Sequence, residues 1–207
     1  MTNPTKQSYD TLNKAYEFFN RELFAGQLPY CLITLQRHKG ALGYFAAERF
    51  KGGEHTTDEI ALNPNHFERG AARVLGTLAH EMAHLWQKHF GKMPRKGYHD
   101  KQWAQKMEQI GLVPSDTAAP GGKKTGQKMS HYIAEGGPFA IACAAFLAQN
   151  EALLYQDQWA GVEKIAKARS AASKTKYTCP SCDANCWAKP CSSFICGNCE
   201  ETMEEQE

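Results

Sequence analysis

The chain has 207 residues, of which 42% are hydrophobic, and its formal net charge is +2. This length and composition allow one catalytic core of ordinary size and one small additional module. The N-terminus MTNPTKQSYD lacks the apolar stretch of a signal peptide, and no segment approaches the length of a membrane span. We therefore expect an intracellular protein, cytoplasmic or nucleoid-associated, with no membrane partner.

The first sixty residues predict one amphipathic helix followed by three short strands. Apolar side chains recur at helical spacing at Tyr9, Leu12, Tyr16, Phe19 and Leu23. The strands are expected around residues 32–35, 42–45 and 59–62. Together with the helices that follow, this order predicts an α+β fold with a small antiparallel sheet.

The next helix, residues 73–89, carries the string His80-Glu81-Met82-Ala83-His84. Two histidines four residues apart lie one above the other on a helix, so both can reach one metal ion. An apolar stripe on the other side of this helix indicates that the two histidines do not belong to the core. The pattern HExxH predicts a zincin-like zinc metallopeptidase with Glu81 beside the open metal position.

A catalytic zinc usually takes three protein ligands, so a third must come from elsewhere in the chain. His89 lies five residues beyond His84, which turns it toward the apolar stripe and favours packing over ligation. Glu108 is a candidate carboxylate ligand. His99 is favoured because it follows a turn segment containing Gly and Pro and opens a second helix, residues 99–110, which can bring it back over the first.

The stretch HEMAHLWQKHFGKMPRKGYHDKQW resembles the SprT-like metallopeptidases, the Spartan-type family, and the resemblance covers about residues 5–112. It implies that His80, His84 and His99 bind a catalytic zinc ion and that Glu81 is the general base. Tyr98 departs from the family pattern, which often has Gly directly before this third histidine.

Peptide hydrolysis at such a site needs a base, a stabilised oxyanion and a bound substrate backbone. Glu81 would accept the proton of the attacking water and return it to the leaving amine. Tyr98, His131 and Tyr132 are candidate transition-state or substrate contacts. The strand at residues 59–62 is expected to offer its edge to an extended substrate.

A second metal site is predicted near the C-terminus. Cys179 and Cys182 form one CxxC pair, and Cys196 and Cys199 form another after thirteen intervening residues. Two such pairs are typical of a zinc ribbon with a structural Zn²⁺ ion. Two further thiols, Cys186 and Cys191, belong to no CxxC pair and are expected to stay free.

These features predict five segments. They are a SprT-like metallopeptidase core at 5–112, an extension packed on it at 113–157, a basic helical linker at 158–176, the ribbon at 177–203 and an acidic tail at 204–207. The extension contains a loop, a short strand near residues 127–133 and an apolar segment at 139–148.

The charge distribution indicates a nucleic-acid partner. Five of the 22 acidic residues lie in the last eight residues, so the rest of the chain has 17 acidic residues and 24 Lys and Arg. The candidate DNA-binding residues of the linker are Lys164, Lys167, Arg169, Lys174 and Lys176. The family resemblance implies action on DNA-bound or DNA-crosslinked proteins. Two alternatives stay open: a non-enzymatic zinc-ribbon protein that binds nucleic acid, and a protease for a regulatory partner without DNA dependence.

Overall fold

The computed structural model describes residues 3–150, 155–158 and 174–206. The chain divides into two compact units, Met1–Asp157 and Gln158–Glu207. In the described residues no helix is both long enough and apolar enough to cross a membrane. The architecture is mixed α+β, as predicted.

The first unit opens with helix α1, Pro4–Phe24, which Asn3 caps by accepting a hydrogen bond from the Lys6 amide. Strands β1 (Leu32–Leu35), β2 (Gly43–Gly52) and β3 (His55–Leu62) then form a sheet of order β1-β3-β2. Strand β1 runs parallel to β3 and β2 runs antiparallel to it, so the sheet is mixed and the predicted antiparallel sheet is wrong at one pairing.

The sheet order also corrects the expected substrate edge. Strand β3 lies in the centre, where both of its edges are paired, so residues 59–62 have no edge to offer. Among the described strands, the unpaired edges of this sheet belong to β1 and β2. The sequence predicted where the strands lie along the chain. It did not predict their order in the sheet, in which β3 lies between β1 and β2.

Helix α2, Ala71–Phe90, packs against this sheet and carries the HExxH string. Its apolar residues belong to the main core, yet burial extends around most of the helix and includes His80, Glu81 and Gln87. A short 3₁₀ turn, Pro64–Arg69, precedes it. The polar side of this helix is therefore not a solvated face, because other parts of the protein cover it.

After α2 come helix α3 (Lys101–Gln109), the hairpin partners β4 (Leu112–Ser115) and β5 (Ser130–Ile133), and helix α4 (Pro138–Gln149). Asp100 caps α3, so His99 precedes this helix instead of opening it. Phe139 and Phe146 of α4 pack on Phe19 of α1, with ring centroids 5.4 and 5.9 Å away. The segment after residue 112 thus contributes to the same core.

The second unit contains a three-stranded antiparallel sheet of order β7-β6-β8, with β6 at Thr175–Thr178, β7 at Asn185–Ala188 and β8 at Glu204–Gln206. Two predicted boundaries are corrected here. Residues 175 and 176 belong to β6 and not to a helical linker, and residues 204–206 pair with β6 instead of forming a tail. Residues 159–173, the centre of the predicted linker, lie outside the described residues.

Candidate active site and metal centres

Three histidines from two parts of the first unit meet at the floor of a cleft. His80 and His84 project from α2 with ring centroids 5.3 Å apart, and the His99 ring lies 4.8 Å from that of His84. One ring nitrogen of each residue lies within 4.8 Å of the others. This is the three-imidazole arrangement that the sequence predicted for a metal ion.

The ring of Trp103, on α3, packs against all three histidines of this cluster. It stacks on His84 at 5.2 Å, lies 4.5 Å from His99 and 4.9 Å from His80, and is fully buried. Sequence reasoning missed that this ring supports all three histidines.

Hydrogen bonds fix the orientation of His99. Its backbone pairs with Gly126 in both directions, and its Nδ1 lies 3.1 Å from the Gly126 carbonyl oxygen. Because a carbonyl oxygen can only accept, Nδ1 of His99 carries the proton and donates it in this hydrogen bond. Nε2 of His99 is then free to bind a ligand. No residue type in the loop 116–129 signals this role, because a backbone carbonyl supplies it.

Gln87 ties the third histidine to α2. Its Nε2 donates to Asp100 Oδ1 at 2.8 Å and to the Lys92 carbonyl at 3.1 Å. The same Asp100 oxygen accepts from the Trp103 amide at 3.0 Å. The buried side-chain amide of Gln87 therefore holds the loop that carries His99. Gln87 lies three residues after His84, on the same side of the helix, and this spacing is the sequence signal that could have identified it.

Burial sets the protonation of the cluster. It lowers the pKa of His84 to about 3 and the pKa of His80 well below the usual value, and nearby histidines lower both further. Burial also lowers the pKa of His99. At neutral pH all three rings are neutral, which is the state in which imidazole binds a metal.

Glu81 lies beside this cluster with only 5% of its surface exposed, and burial raises the pKa of its carboxyl to about 8. In the described part of the chain no group donates a hydrogen bond to it and no cation pairs with it. A buried carboxyl group without a counter-charge, next to three neutral imidazoles, fits a site for a divalent cation, which would favour its ionised form. The donor set is the one zinc prefers.

The cleft above the cluster has a volume of about 550 Å³. One wall is the segment Gly40–Phe45, which includes the start of the free edge of β2, and a second is Met93–His99. Gly43 comes close to Glu81, because a Cβ added at Gly43 would lie 2.7 Å from the Ala61 carbonyl oxygen and 3.3 Å from Glu81 Oε1. A side chain at position 43 would fill the space in front of Glu81.

Of the three predicted transition-state or substrate contacts, two line the cleft and one does not. Tyr98 lines the cleft, with Arg95 stacked over its ring at 4.6 Å. His131 lines it as well, and its Nδ1 lies 3.1 Å from His80 Nδ1. Tyr132 is not among the cleft-lining residues, because neighbouring strand residues point to opposite faces.

The two other residues considered as the third ligand, Glu108 and His89, lie away from the histidine cluster. Glu108 pairs with Lys124 on the surface. His89 contacts Asp58, with His89 Nε2 2.7 Å from Asp58 Oδ2, so it does not ligate, although it is exposed where packing was expected.

The ribbon brings its two CxxC pairs together. One sulfur each from Cys179, Cys182, Cys196 and Cys199 lies within 4.8 Å of the others. Backbone amides of Asn198 and Cys199 lower the pKa of the Cys196 thiol to about 7, whereas the hydrogen bond with Cys182 chiefly raises that of Cys199 to about 12. Four convergent thiols fit a zinc ion, which would replace their shared protons.

The two remaining ribbon thiols stand apart from this group. Cys186 contacts Met203, with 3.8 Å between the sulfurs, and Cys191 is exposed. Of the candidate DNA-binding residues, Lys174 and Lys176 are exposed at the start of β6, and Lys164, Lys167 and Arg169 lie outside the described residues.

The first unit is an α+β domain in which three histidines form a candidate metal site. The family model described as SprT-like matches residues 12–123, and the chain belongs to this family. A curated relative from Salmonella typhimurium, named "Uncharacterized protein in mucB 3'region", is 54% identical over 59 residues, which is 28% of this chain and 80% of the relative. No solved structure matches the chain.

Proposed function

We propose that this protein is a zinc-dependent endopeptidase. The observation that carries the proposal is the buried Glu81 carboxylate next to three neutral histidines at the floor of an open cleft. His80, His84 and His99 would hold the ion. When bound, zinc supplies Lewis-acid activation of water and of the scissile carbonyl.

Glu81 performs the proton transfers in this proposal. A cation held by the three histidines favours the ionised carboxylate, so Glu81 can accept the proton of the attacking water. It then donates this proton to the nitrogen of the leaving amine. Its burial keeps competing solvent away from the carboxylate, and Gly43 leaves room for the water and the peptide carbonyl.

The edge of β2 is the proposed binding surface for the substrate backbone. Residues 43–45 line the cleft and belong to a strand with an unpaired edge in the described sheet. A peptide in extended conformation can add to such an edge through main-chain hydrogen bonds, which read little sequence. Tyr98 lies on the opposite wall, where its hydroxyl is a candidate donor to the oxyanion.

We propose proteins bound or crosslinked to DNA as the substrates. The segment 91–128, of which residues 93–99, 116, 127 and 128 line the cleft, contains eight Lys and Arg against three acids. Such an excess attracts phosphate through counterion release. The described ribbon has the opposite balance, with three Lys against five acids at 174–206, so its own charge does not favour DNA.

The ribbon's contribution is instead proposed to be base stacking. Trp187 is 63% exposed on β7 and lies opposite Lys176 in the sheet register. An exposed aromatic ring beside a lysine is suited to single-stranded DNA, in which bases stack on the ring and the ammonium meets the phosphate. Trp187→Ala should weaken single-stranded DNA binding about tenfold or more, whereas Ile195→Ala, also on the exposed ribbon surface, should not.

The decisive experiment compares wild type with Glu81→Gln. Cleavage of a DNA-binding protein, and of the chain itself, is measured with and without single-stranded DNA, together with zinc content. Cleavage by wild type alone, with equal zinc in both proteins, is the expected result. Equal cleavage by both proteins would reject Glu81 as the base, and DNA binding without cleavage would favour a non-enzymatic ribbon protein.

The DNA dependence has its own test. Deletion of residues 158–207 should weaken DNA-stimulated cleavage, because the stacking surface at Trp187 is lost, while the catalytic zinc stays bound in the first unit, which contains the whole histidine cluster. Unchanged stimulation would mean that the first unit alone makes the DNA contact. Cleavage that ignores DNA in the full chain would favour a protease for a specific partner.

A further inference from the structure

A fourth histidine touches the metal cluster from a different strand. His131 lies on β5, and its Nδ1 is 3.1 Å from Nδ1 of His80, with ring centroids 5.3 Å apart. It is not part of the group of three whose ring nitrogens converge. Its contact with the cluster therefore runs through His80.

The chemistry of this contact assigns a role to each nitrogen. A metal ion takes the lone pair of one ring nitrogen, and the proton then resides on the other. Nδ1 of His80 faces His131, so Nε2 of His80 is the nitrogen left for the ion. Nδ1 of His80 then carries the proton and donates it, and Nδ1 of His131 accepts.

His131 is also seated against α2 in a way that restricts its ring. A Cβ added at Gly76, four residues before His80, would lie 3.1 Å from His131 Nε2. The missing side chain at Gly76 lets the ring approach the helix. The ring of His131 therefore lies between His80 and Gly76, which restricts its orientation.

We propose that His131 is a positioning residue that accepts a hydrogen bond from His80 and thereby sets the tautomer and orientation of that metal-binding imidazole. The proposal rests on the zinc site proposed above. It corresponds to the contact between His99 Nδ1 and the Gly126 carbonyl, so two of the three imidazoles have an acceptor on the side away from the ion. Such acceptors raise the affinity for the metal because they hold the ring in its binding geometry.

The test uses two substitutions that differ in one acceptor. His131→Leu removes it, whereas His131→Asn places the amide Oδ1 near the position of Nδ1 and keeps it. His131→Gln serves where the leucine variant does not fold, since its amide oxygen lies one bond further out and does not match Nδ1. Zinc is removed from the full chain by stepwise chelator titration, and the step that His84→Ala abolishes is assigned to the histidine site.

The expected result is a zinc affinity about 10–100-fold weaker at this site for His131→Leu, and close to wild type for His131→Asn. The step that belongs to the ribbon should be unchanged in both. Wild-type affinity in His131→Leu, or equal loss in the leucine and asparagine variants, would overturn the proposal. Reduced cleavage with unchanged zinc affinity would instead assign His131 to the substrate.

The same titration separates this inference from the proposed function. If His84→Ala abolishes no zinc step, the histidines do not form the metal site and the proposed endopeptidase fails with them. If that step is lost in His84→Ala and unaffected in His131→Leu, the metal site stands and only the positioning role is rejected.

Discussion

Glu81 should destabilise the metal-free protein at neutral pH, and Glu81→Gln should relieve this. Burial raises the pKa of the Glu81 carboxyl from 4.5 to about 8. A carboxyl group whose pKa is raised by folding loses its proton at a lower pH in the unfolded chain than in the folded protein. The free energy of unfolding therefore falls as the pH rises from about 4.5 to about 8. Each pH unit above 4.5 lowers the free energy of unfolding by about 1.4 kcal/mol, so at pH 7 the loss is about 3 kcal/mol.

The assay is urea unfolding of chelator-treated protein at several pH values. Far-UV circular dichroism follows the first unit, because the described part of the ribbon contains strands and no helix. The free energy of unfolding of Glu81→Gln should match that of wild type near pH 4 and exceed it by about 3 kcal/mol at pH 7. The buried histidines titrate in both proteins, so the difference between the two curves isolates Glu81.

Glu54→Gln, at an exposed position in the turn between β2 and β3, is the matched control and should change stability by less than about 0.5 kcal/mol. Adding zinc should then stabilise wild type more than Glu81→Gln, because the cation pairs with the ionised carboxylate. A difference between wild type and Glu81→Gln that does not grow with pH would refute the reasoning. It would mean that the carboxylate is solvated or paired in the folded protein.

Three further predictions address the cleft, the loop and the ribbon. Gly43→Ala should reduce cleavage at least tenfold and lower stability by about 1–3 kcal/mol, measured by activity and unfolding, because its Cβ would meet the Ala61 carbonyl. Gln87→Leu should weaken zinc affinity at the histidine site about tenfold, measured by chelator competition, because the loop before α3 loses its tie to α2. Cys196→Ser should leave one zinc fewer per chain by elemental analysis, because the ribbon loses a thiolate ligand.

Matched variants check each result. Gly52→Ala lies in the same strand as Gly43, but its Cβ would have no atom within 4 Å, so activity and stability should be retained. Cys191→Ser should keep both zinc ions, because Cys191 is exposed and outside the group of four sulfurs. A wild-type zinc affinity for Gln87→Leu would mean that Asp100 alone holds the loop.

Local spacing made part of the candidate site predictable. His80 and His84 are four residues apart, and helix geometry alone puts them on one face. Each CxxC pair likewise brings two thiols together within a single turn. The apolar spacing of α1, α2 and α4 predicted buried segments, and the structure buries them in one core.

Contacts between distant segments were less predictable. The sequence favoured His99 as the third histidine but could not decide between it and Glu108 by spacing, and it did not order β1, β3 and β2. The pairing of β8 with β6 was missed, because five nearby acids indicate a solvated tail when read alone. A strand at a sheet edge tolerates exposed charge on its side chains while its backbone pairs.

By itself, the sequence determined the family, the helix with its two histidines and Glu81, and the two thiol pairs, since each depends on residues within one turn or one continuous motif. Only the tertiary structure decided how His99, Trp103, Gln87 and His131 surround that helix. Those contacts join residues up to 51 positions apart in the sequence. The energy that selects them comes from shared burial and hydrogen bonding, which no local period in the sequence records.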